Sequence, residues 1–234
     1  MVHIDTVLLK IASRCNLDCK YCYVYQMGND GWKYQPKKMN EQTLARIADQ
    51  LSLLCRIQKK AISVVFHGGE PLLVGSDRFE SMCRILRAAL PKDCSLYLQT
   101  NGVLLSEKII ATCSLYDVGI SISIDGPTDT NDQNRVDLRG RGSHSRVLDG
   151  IRRLVGSSHG RTLFTGVLAV IDPTSDPIRT YEFLKSTGAP SIDFLYRDGN
   201  HDVLPFGKAS PNSLEFGKWM SGLLDYYLVD EMPT

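Results

Sequence analysis

No long apolar run occurs in the sequence. The longest uninterrupted one, Val167–Ile171, falls far short of a bilayer span, which argues against a membrane-crossing helix. The N-terminus lacks the basic flank of a secretory signal, since Asp5 stands there and Lys10 interrupts the apolar stretch Val7–Ile11. Charge of one sign is not in excess either. Twenty-seven Lys and Arg oppose 26 Asp and Glu, a net charge of +1, so bulk electrostatics offers no reason to expect a nucleic-acid or membrane-surface partner. Cysteine is scarce: seven residues, an odd number, argue against a disulfide scaffold. With no export signal, the expected compartment is a reducing cytoplasm, where clustered cysteines are first read as metal ligands or catalysts. Internal repeats and low-complexity tracts are absent too.

What is present is alternation. The 234 residues are 43% hydrophobic, enough for a sizeable core. Short apolar runs predict strands at Thr6–Ala12, Ile62–His67, Leu96–Thr100, Gly119–Ile124, Leu163–Ile171 and Ser191–Leu195. Amphipathic stretches predict helices at Glu41–Gln58, Asp77–Leu90, Ser106–Cys113, Ser145–Val155 and Asp176–Ser186, with a last one at Ser213–Leu228 after an irregular segment from Arg197 to Asn212. Strand–helix–strand alternation implies an α/β fold with a parallel sheet. Six strands are too few for a closed eight-stranded barrel. An open curved sheet, a partial (β/α)6 TIM-like barrel, is expected.

Strand parity adds detail. Ile120, Ile122 and Ile124 share one face, and Ser121, Ser123 and Asp125 the other; Leu96 and Leu98 likewise oppose Tyr97, Gln99 and Asn101. A strand covered by helices on both faces would be apolar on both. These strands instead predict a polar lumen, with the active site at the C-terminal strand ends. Cys55, Cys83 and Cys113 fall on apolar helical stripes and Cys94 at a strand entrance, so all four are expected in the core.

The other three cysteines stand together in Cys15-Asn16-Leu17-Asp18-Cys19-Lys20-Tyr21-Cys22, directly after the first strand. This spacing lets one loop wrap three thiolates around one centre. A structural zinc site wants four protein ligands, no nearby cysteine completes one, and His3 and His67 are poorly placed. Most iron–sulfur clusters also use four cysteines. Three thiolates on a four-iron cluster would leave one iron free to bind something else.

This C-x3-C-x2-C loop, with an aromatic before its last cysteine, resembles the signature of radical S-adenosylmethionine (SAM) enzymes. The resemblance implies that Cys15, Cys19 and Cys22 hold a [4Fe-4S] cluster and that SAM chelates the free iron. One electron would then cleave SAM to methionine and a 5′-deoxyadenosyl radical that abstracts a substrate hydrogen. Further motifs follow in order. Gly68-Gly69-Glu70-Pro71 resembles the family's GGEP motif, whose glycines and Glu70 would receive the SAM amino group, an ammonium being a natural partner for a carboxylate. Gln99-Thr100-Asn101-Gly102 resembles the QTNG motif of the peptide-modifying branch, and Ser123-Ile124-Asp125-Gly126-Pro127 ends the fourth strand. By resemblance Ser123 and Arg135 would bind the SAM ribose and carboxylate, for which a planar guanidinium is suited. Leu168 and Tyr21 would touch the adenine, and Gln99, Asn101 and Asp125 join the expected SAM-binding set.

The resemblance spans residues 4–200 and is nearest to maturases of sulfatases and of ribosomally made peptides. Tyr21-Cys22-Tyr23-Val24-Tyr25, the loop Met27–Trp32, Arg139–Ser143 and Asp193–Asp202 are similar to cyclophane-forming maturases, which join an aromatic ring carbon to a Cβ two residues along. That implies a precursor peptide substrate and a flavodoxin- or ferredoxin-like electron donor. The alternative within the family is formylglycine formation in a sulfatase; outside it, a metal-binding interaction module without catalysis. No cysteine follows Cys113, whereas such maturases carry a cysteine-rich SPASM domain. Residues 1–200 are therefore expected to form the catalytic partial barrel, and residues 201–234 a linker and helix leading to a SPASM-like region outside this chain. The arginines at 135, 139, 141, 146, 152 and 153 are expected on a solvated face interleaved with Asp132, Asp137 and Asp149, rather than gripping an acidic leader peptide. His67, His201 and Asp202 are expected to have no catalytic duty. Tyr23, Tyr25 and Trp32 would either shield the cluster or pack a long loop.

Overall fold

A computed structural model describes residues 3–199, 204–205 and 207–234. His201 and Asp202 lie outside the described residues. The chain runs β1 (Thr6–Ala12), α1 (Gly31–Tyr34), α2 (Glu41–Gln58), β2 (Ser63–Gly68), a 3₁₀ turn (Pro71–Val74), α3 (Ser76–Ala89), β3 (Ser95–Thr100), α4 (Glu107–Leu115) and β4 (Val118–Ser123). It continues through α5 (Thr128–Asn134), α6 (His144–Val155), α7 (Gly160–Leu163), β5 (Phe164–Val170), α8 (Pro177–Ser186), β6 (Ile192–Leu195) and α9 (Glu215–Tyr227). The six strands form one sheet in chain order, β1 to β6, with every neighbouring pair parallel. Parallel neighbours require a crossover, and the intervening helices supply it. The sheet is open, and all loops after strands gather at one end.

The expected parity holds. Along β2, β3 and β4 buried residues alternate with half-buried ones. Val64, Phe66, Leu96, Leu98, Ile120 and Ile122 join α2, α3 and α4 in one core through Leu44, Leu51, Phe79, Met82, Leu86 and Ile109. Cys55, Cys83, Cys94 and Cys113 are buried there. The other face, with His67, Tyr97, Gln99, Ser121 and Ser123, looks into the lumen.

Element ends follow local chemistry. Asn40, Ser106 and Asp176 cap α2, α4 and α8 by accepting the backbone N–H of Thr43, Ile109 and Arg179. Four short elements escape sequence periodicity: α1, α7, the 3₁₀ turn and α5. Helix α5 (TDTNDQN) contains no apolar residue, and the side chains it buries are Thr130, Asn131 and Asn134. It is held by polar contacts at the strand ends, which no hydrophobic pattern can reveal. Helix α9 packs Phe216, Trp219 and Leu223 onto Ile171 and Tyr181, and Trp219 Nε1 donates to Ser175 Oγ at 3.2 Å. Among the described residues no helix is long and apolar enough to cross a membrane.

Candidate active site

The loop after β1 is sewn down on two sides. Asp18 N donates to the Val136 carbonyl at 2.7 Å and Lys20 N to the Asn134 carbonyl at 3.0 Å, so both neighbours of Cys19 are pinned to the segment after β4. On the other side Gly69 N donates to Ala12 O and Glu70 N to Arg14 O, each at 2.9 Å. Gly69 must be glycine: a Cβ there would stand 1.9 Å from the Tyr25 hydroxyl and 2.4 Å from the Arg14 carbonyl oxygen. Cys15, Cys19 and Cys22 consequently face one cavity of about 210 Å³, together with Tyr21, His67, Gly68, Gly69, Glu70, Gln99, Asn101, Ser123, Arg135 and Leu168.

Every residue expected to bind SAM lines that cavity except Asp125. The structure places Asp125 behind the wall, 3% exposed, where its Oδ2 accepts the Tyr21 hydroxyl and its Oδ1 accepts Val170 N at 3.1 Å. The same Tyr21 oxygen accepts Arg135 Nη1 at 2.9 Å, and Arg135 Nη1 stands 3.7 Å from Asp125 Oδ1. Burial pushes the Asp125 carboxyl upward, while the Arg135 charge and the Tyr21 hydroxyl pull it back. Arg135 is therefore not on the solvated face expected for it. It is buried by this network, and its Nε, also buried, has no hydrogen-bond partner among the described residues. A buried guanidinium N–H left open is a donor for an anion.

Glu70 is likewise committed. Its Oε1 accepts Leu72 N at 2.9 Å and Thr100 Oγ1 at 2.8 Å, and its Oε2 accepts Asn101 N at 2.9 Å. Three of roughly four acceptor positions on the carboxylate are filled by the protein. Glu70 thus ties the end of β2 to the end of β3, besides lining the cavity. Asn101 Nδ2 in turn donates to Asn16 Oδ1 at 2.8 Å and lies 3.8 Å from Cys15 Sγ, and Gln99 Nε2 donates to Ser123 Oγ at 2.9 Å.

Several wall residues carry no site role in the sequence reading. Thr100 belongs to a quoted motif, but its partner Glu70 is 30 positions away. Leu195, Tyr196, Arg197 and Asp198 also line the cavity. Arg197 is 4% exposed, pairs with Asp172 at 2.9 Å and stands 5.6 Å from the Tyr21 ring, a burial that an irregular segment does not advertise. His67 faces the cavity with Nδ1 unpartnered among the described residues; burial and the nearby Lys10 charge hold its pKa down. A second cavity, about 570 Å³, shares the wall Tyr23–Tyr25, Gly68 and Gly69. Tyr25 and Trp32 meet edge to face at 4.9 Å beneath Arg14, so they pack the loop, whereas Tyr23 remains 47% exposed.

The comparisons with known proteins agree with this geometry. Residues 9–184 match the model of the Radical SAM superfamily. The chain belongs to the radical SAM superfamily. It is similar to the cysteine-type anaerobic sulfatase-maturating enzyme of Clostridium perfringens (strain 13), 31% identical over 61% of this chain and 38% of that one. The serine-type enzyme of Bacteroides thetaiotaomicron is 27% identical over 82% of this chain and 47% of its own length. Among solved structures, native anSMEcpe with bound AdoMet superimposes with a TM-score of 0.77 at 22% identity, covering 96% of this chain and 60% of that one. The chain thus spans less than two thirds of the length of these relatives.

Radical SAM enzymes use a [4Fe-4S] cluster and SAM, and the residues present fit both. Three thiols on one loop offer the soft donors that iron–sulfur clusters take. Burial pushes the Cys15 thiol up to about 12 and the Cys19 thiol up to about 11. A cationic centre is what would draw off their protons. Arg135, with its open Nε, and Ser123 present donors suited to the carboxylate and hydroxyls of SAM.

Proposed function

We propose that this radical SAM enzyme oxidises a side chain of a peptide or protein by two electrons. Cys15, Cys19 and Cys22 would hold the cluster. Gly68, Gly69 and the remaining lone pair of Glu70 would receive the SAM amino group, Arg135 Nε its carboxylate, and Ser123, steadied by Gln99, its ribose. Leu168 and the face of Tyr21 would bound the adenine, while Asp125 fixes Tyr21 and Arg135 rather than touching SAM. Bound there, cluster and SAM would supply a 5′-deoxyadenosyl radical to take one hydrogen atom from the substrate; the second electron would leave, with a proton, to an oxidised iron–sulfur cluster, which balances the two-electron oxidation. The chain's own part is to hold SAM in one pose through the Tyr21–Asp125–Arg135 network, to keep water out with buried walls, and to present the substrate carbon at the rim.

The observation that carries this reading is the convergence on one cavity of three thiols and the SAM-facing residues, with an exposed apolar rim of Tyr23 (47%), Leu195 (47%) and Tyr196 (58%). Such a rim suits a peptide better than a small polar metabolite. Two products remain within this reading. The sulfatase-maturating relatives support formylglycine formation from a Cys or Ser, and the aromatic loop Tyr21–Tyr25 supports a cyclophane crosslink. The reconstituted full-length protein, incubated anaerobically with reductant, SAM and each peptide type, separates them. An aldehyde captured by a hydrazide means formylglycine, and loss of two hydrogens with a crosslinked fragmentation pattern means cyclophane. Neither product from either peptide, despite SAM cleavage, would remove peptide oxidation as the function.

A further inference from the structure

Beside the SAM cavity lies the larger one of about 570 Å³, and its walls are firmly held. Residues 36–39 return antiparallel along the end of β1. Ser13 N donates to the Lys37 carbonyl at 3.2 Å, Met39 N donates to the Ile11 carbonyl at 2.9 Å, and Ala12 bridges Lys38. The facing wall is the loop that carries Tyr23, Val24 and Trp32. Arg14 clamps this loop. It donates to the Trp32 carbonyl at 2.6 Å and the Lys33 carbonyl at 3.1 Å, while its guanidinium stands 4.9 Å from the Trp32 ring. A pocket braced on both sides is formed before any ligand arrives.

Its chemistry is one-sided. Val24, Trp32, Pro36 and Met39 give it apolar walls, and two lysines line it but no Asp or Glu does. Lys38 is already engaged, since its Nζ donates to the Val74 carbonyl at 3.1 Å. Lys10 is not. It stands on β1 between buried Leu9 and Ile11, so its side chain is on the lumen face, beside His67 of β2. There its Nζ lies 5.4 Å from the centre of the Tyr23 ring, and it forms no ion pair among the described residues. The carboxylates nearest to the lining residues in sequence do not answer it: Asp30 pairs with Lys33 at 2.8 Å, and Glu41 is exposed outside the lining. Tyr23, Tyr25, Gly68 and Gly69 line both cavities, whereas Lys10 does not line the SAM cavity. The anion that Lys10 would meet is therefore not SAM, though only one layer of residues separates them.

We propose that this pocket is a specificity site for the substrate peptide, seating a bulky apolar side chain while Lys10 receives the carboxylate of an adjacent Asp or Glu. The apolar walls supply the buried area, and a charge-assisted hydrogen bond to the ammonium selects the carboxylate. The shared wall sets the seated pair a short way along the peptide from the residue that is oxidised. No bond is made or broken in the pocket; it selects and positions. The proposal rests on the reading of the SAM cavity as peptide-oxidising, and its test separates the two.

The test uses the reconstituted chain with SAM and short blocked peptides that carry one Phe beside Asp, Asn or Lys, in both orders, in a Gly-Ser background. Binding is measured by calorimetry and by the fluorescence of Trp32, one of two tryptophans, with Trp32→Phe as the control that should lose the signal. The wild type is expected to bind an Asp peptide about tenfold more tightly than its Asn counterpart at low salt. That preference should shrink as salt rises. Lys10→Met should bind both peptides as the wild type binds the Asn form, which also shows that the variant is folded, and Lys10→Glu should prefer the Lys peptide. Equal binding of Asp and Asn peptides by the wild type, no binding of any peptide, or an Asp preference that survives in Lys10→Met would overturn the proposal. So would hydrocinnamate alone binding as tightly as the best peptide, which would assign the pocket to a small free carboxylate. Peptide oxidation without the charge preference would remove this site and leave the function standing. The charge preference without oxidation of any peptide would do the reverse.

Discussion

Cys19 stands between two backbone hydrogen bonds and faces the cavity with only two other thiols. Cys19→Ala should leave two ligands, too few to hold a cluster; iron and sulfide analysis after anaerobic reconstitution should fall to background, and unchanged iron would contradict the assignment. Glu70 makes a subtler case. Glu70→Ala removes the acceptor of Leu72 N, Asn101 N and Thr100 Oγ1, so it should cost about 1.5–3 kcal/mol of stability as well as weaken SAM binding. Urea unfolding of the cluster-free protein and SAM titration of the loaded one check the two effects, and a loss of SAM affinity alone would mean that the strand tie matters little. The cysteine spacing and the GGEP turn were legible because they are local in sequence. The Asp125–Tyr21–Arg135 network was not, since its members lie up to 114 positions apart and nothing in the chain marks Asp125 as turned away from the cavity.

Among the elements, the hairpin 136–142 offers a pH-dependent prediction. The hydrogen bond and charge of Arg141, with the backbone N–H groups of Arg141 and Arg139, hold the Asp137 carboxyl down at about 2. A carboxyl depressed in the folded state stabilises above its unfolded value near 4, and that contribution is lost as pH falls toward 2. The protection of Arg139 N and Arg141 N against hydrogen exchange, taken relative to the intrinsic rate at each pH, should therefore fall on acidification across that window, whereas Asp137→Asn should be poorly protected throughout. A pH-independent protection would mean that the turn holds without the carboxylate. Helix α9 is bound to the barrel by Trp219, 4% exposed. Trp219→Ala should cost about 3–5 kcal/mol in urea unfolding, and a loss below 1 would show that α9 is only loosely attached. Strands and long helices were readable from periodicity, with ends displaced by no more than a residue or two. Helix α5 was invisible because it packs with Asn and Thr, side chains that carry no hydrophobic period.

At the scale of the molecule, a parallel sheet in simple chain order collects the loops after β1 to β5 at one end, and those loops carry every motif the argument uses. The order of motifs along the chain and their convergence in space are the same fact, which is why the family was legible before the fold. The proposed peptide substrate was not, because the rim that would meet it consists of scattered Tyr23, Leu195 and Tyr196, residues whose types fit many partners. The central claim is that the cavity loads a cluster and cleaves SAM reductively. The measurement is made on the anaerobically reconstituted chain, mixed with dithionite and SAM and followed for 5′-deoxyadenosine and methionine. Release of both in equal amounts, abolished in Cys19→Ala, is the predicted result. A protein that holds iron and sulfide yet leaves SAM intact, or that takes up zinc and no iron, would contradict it.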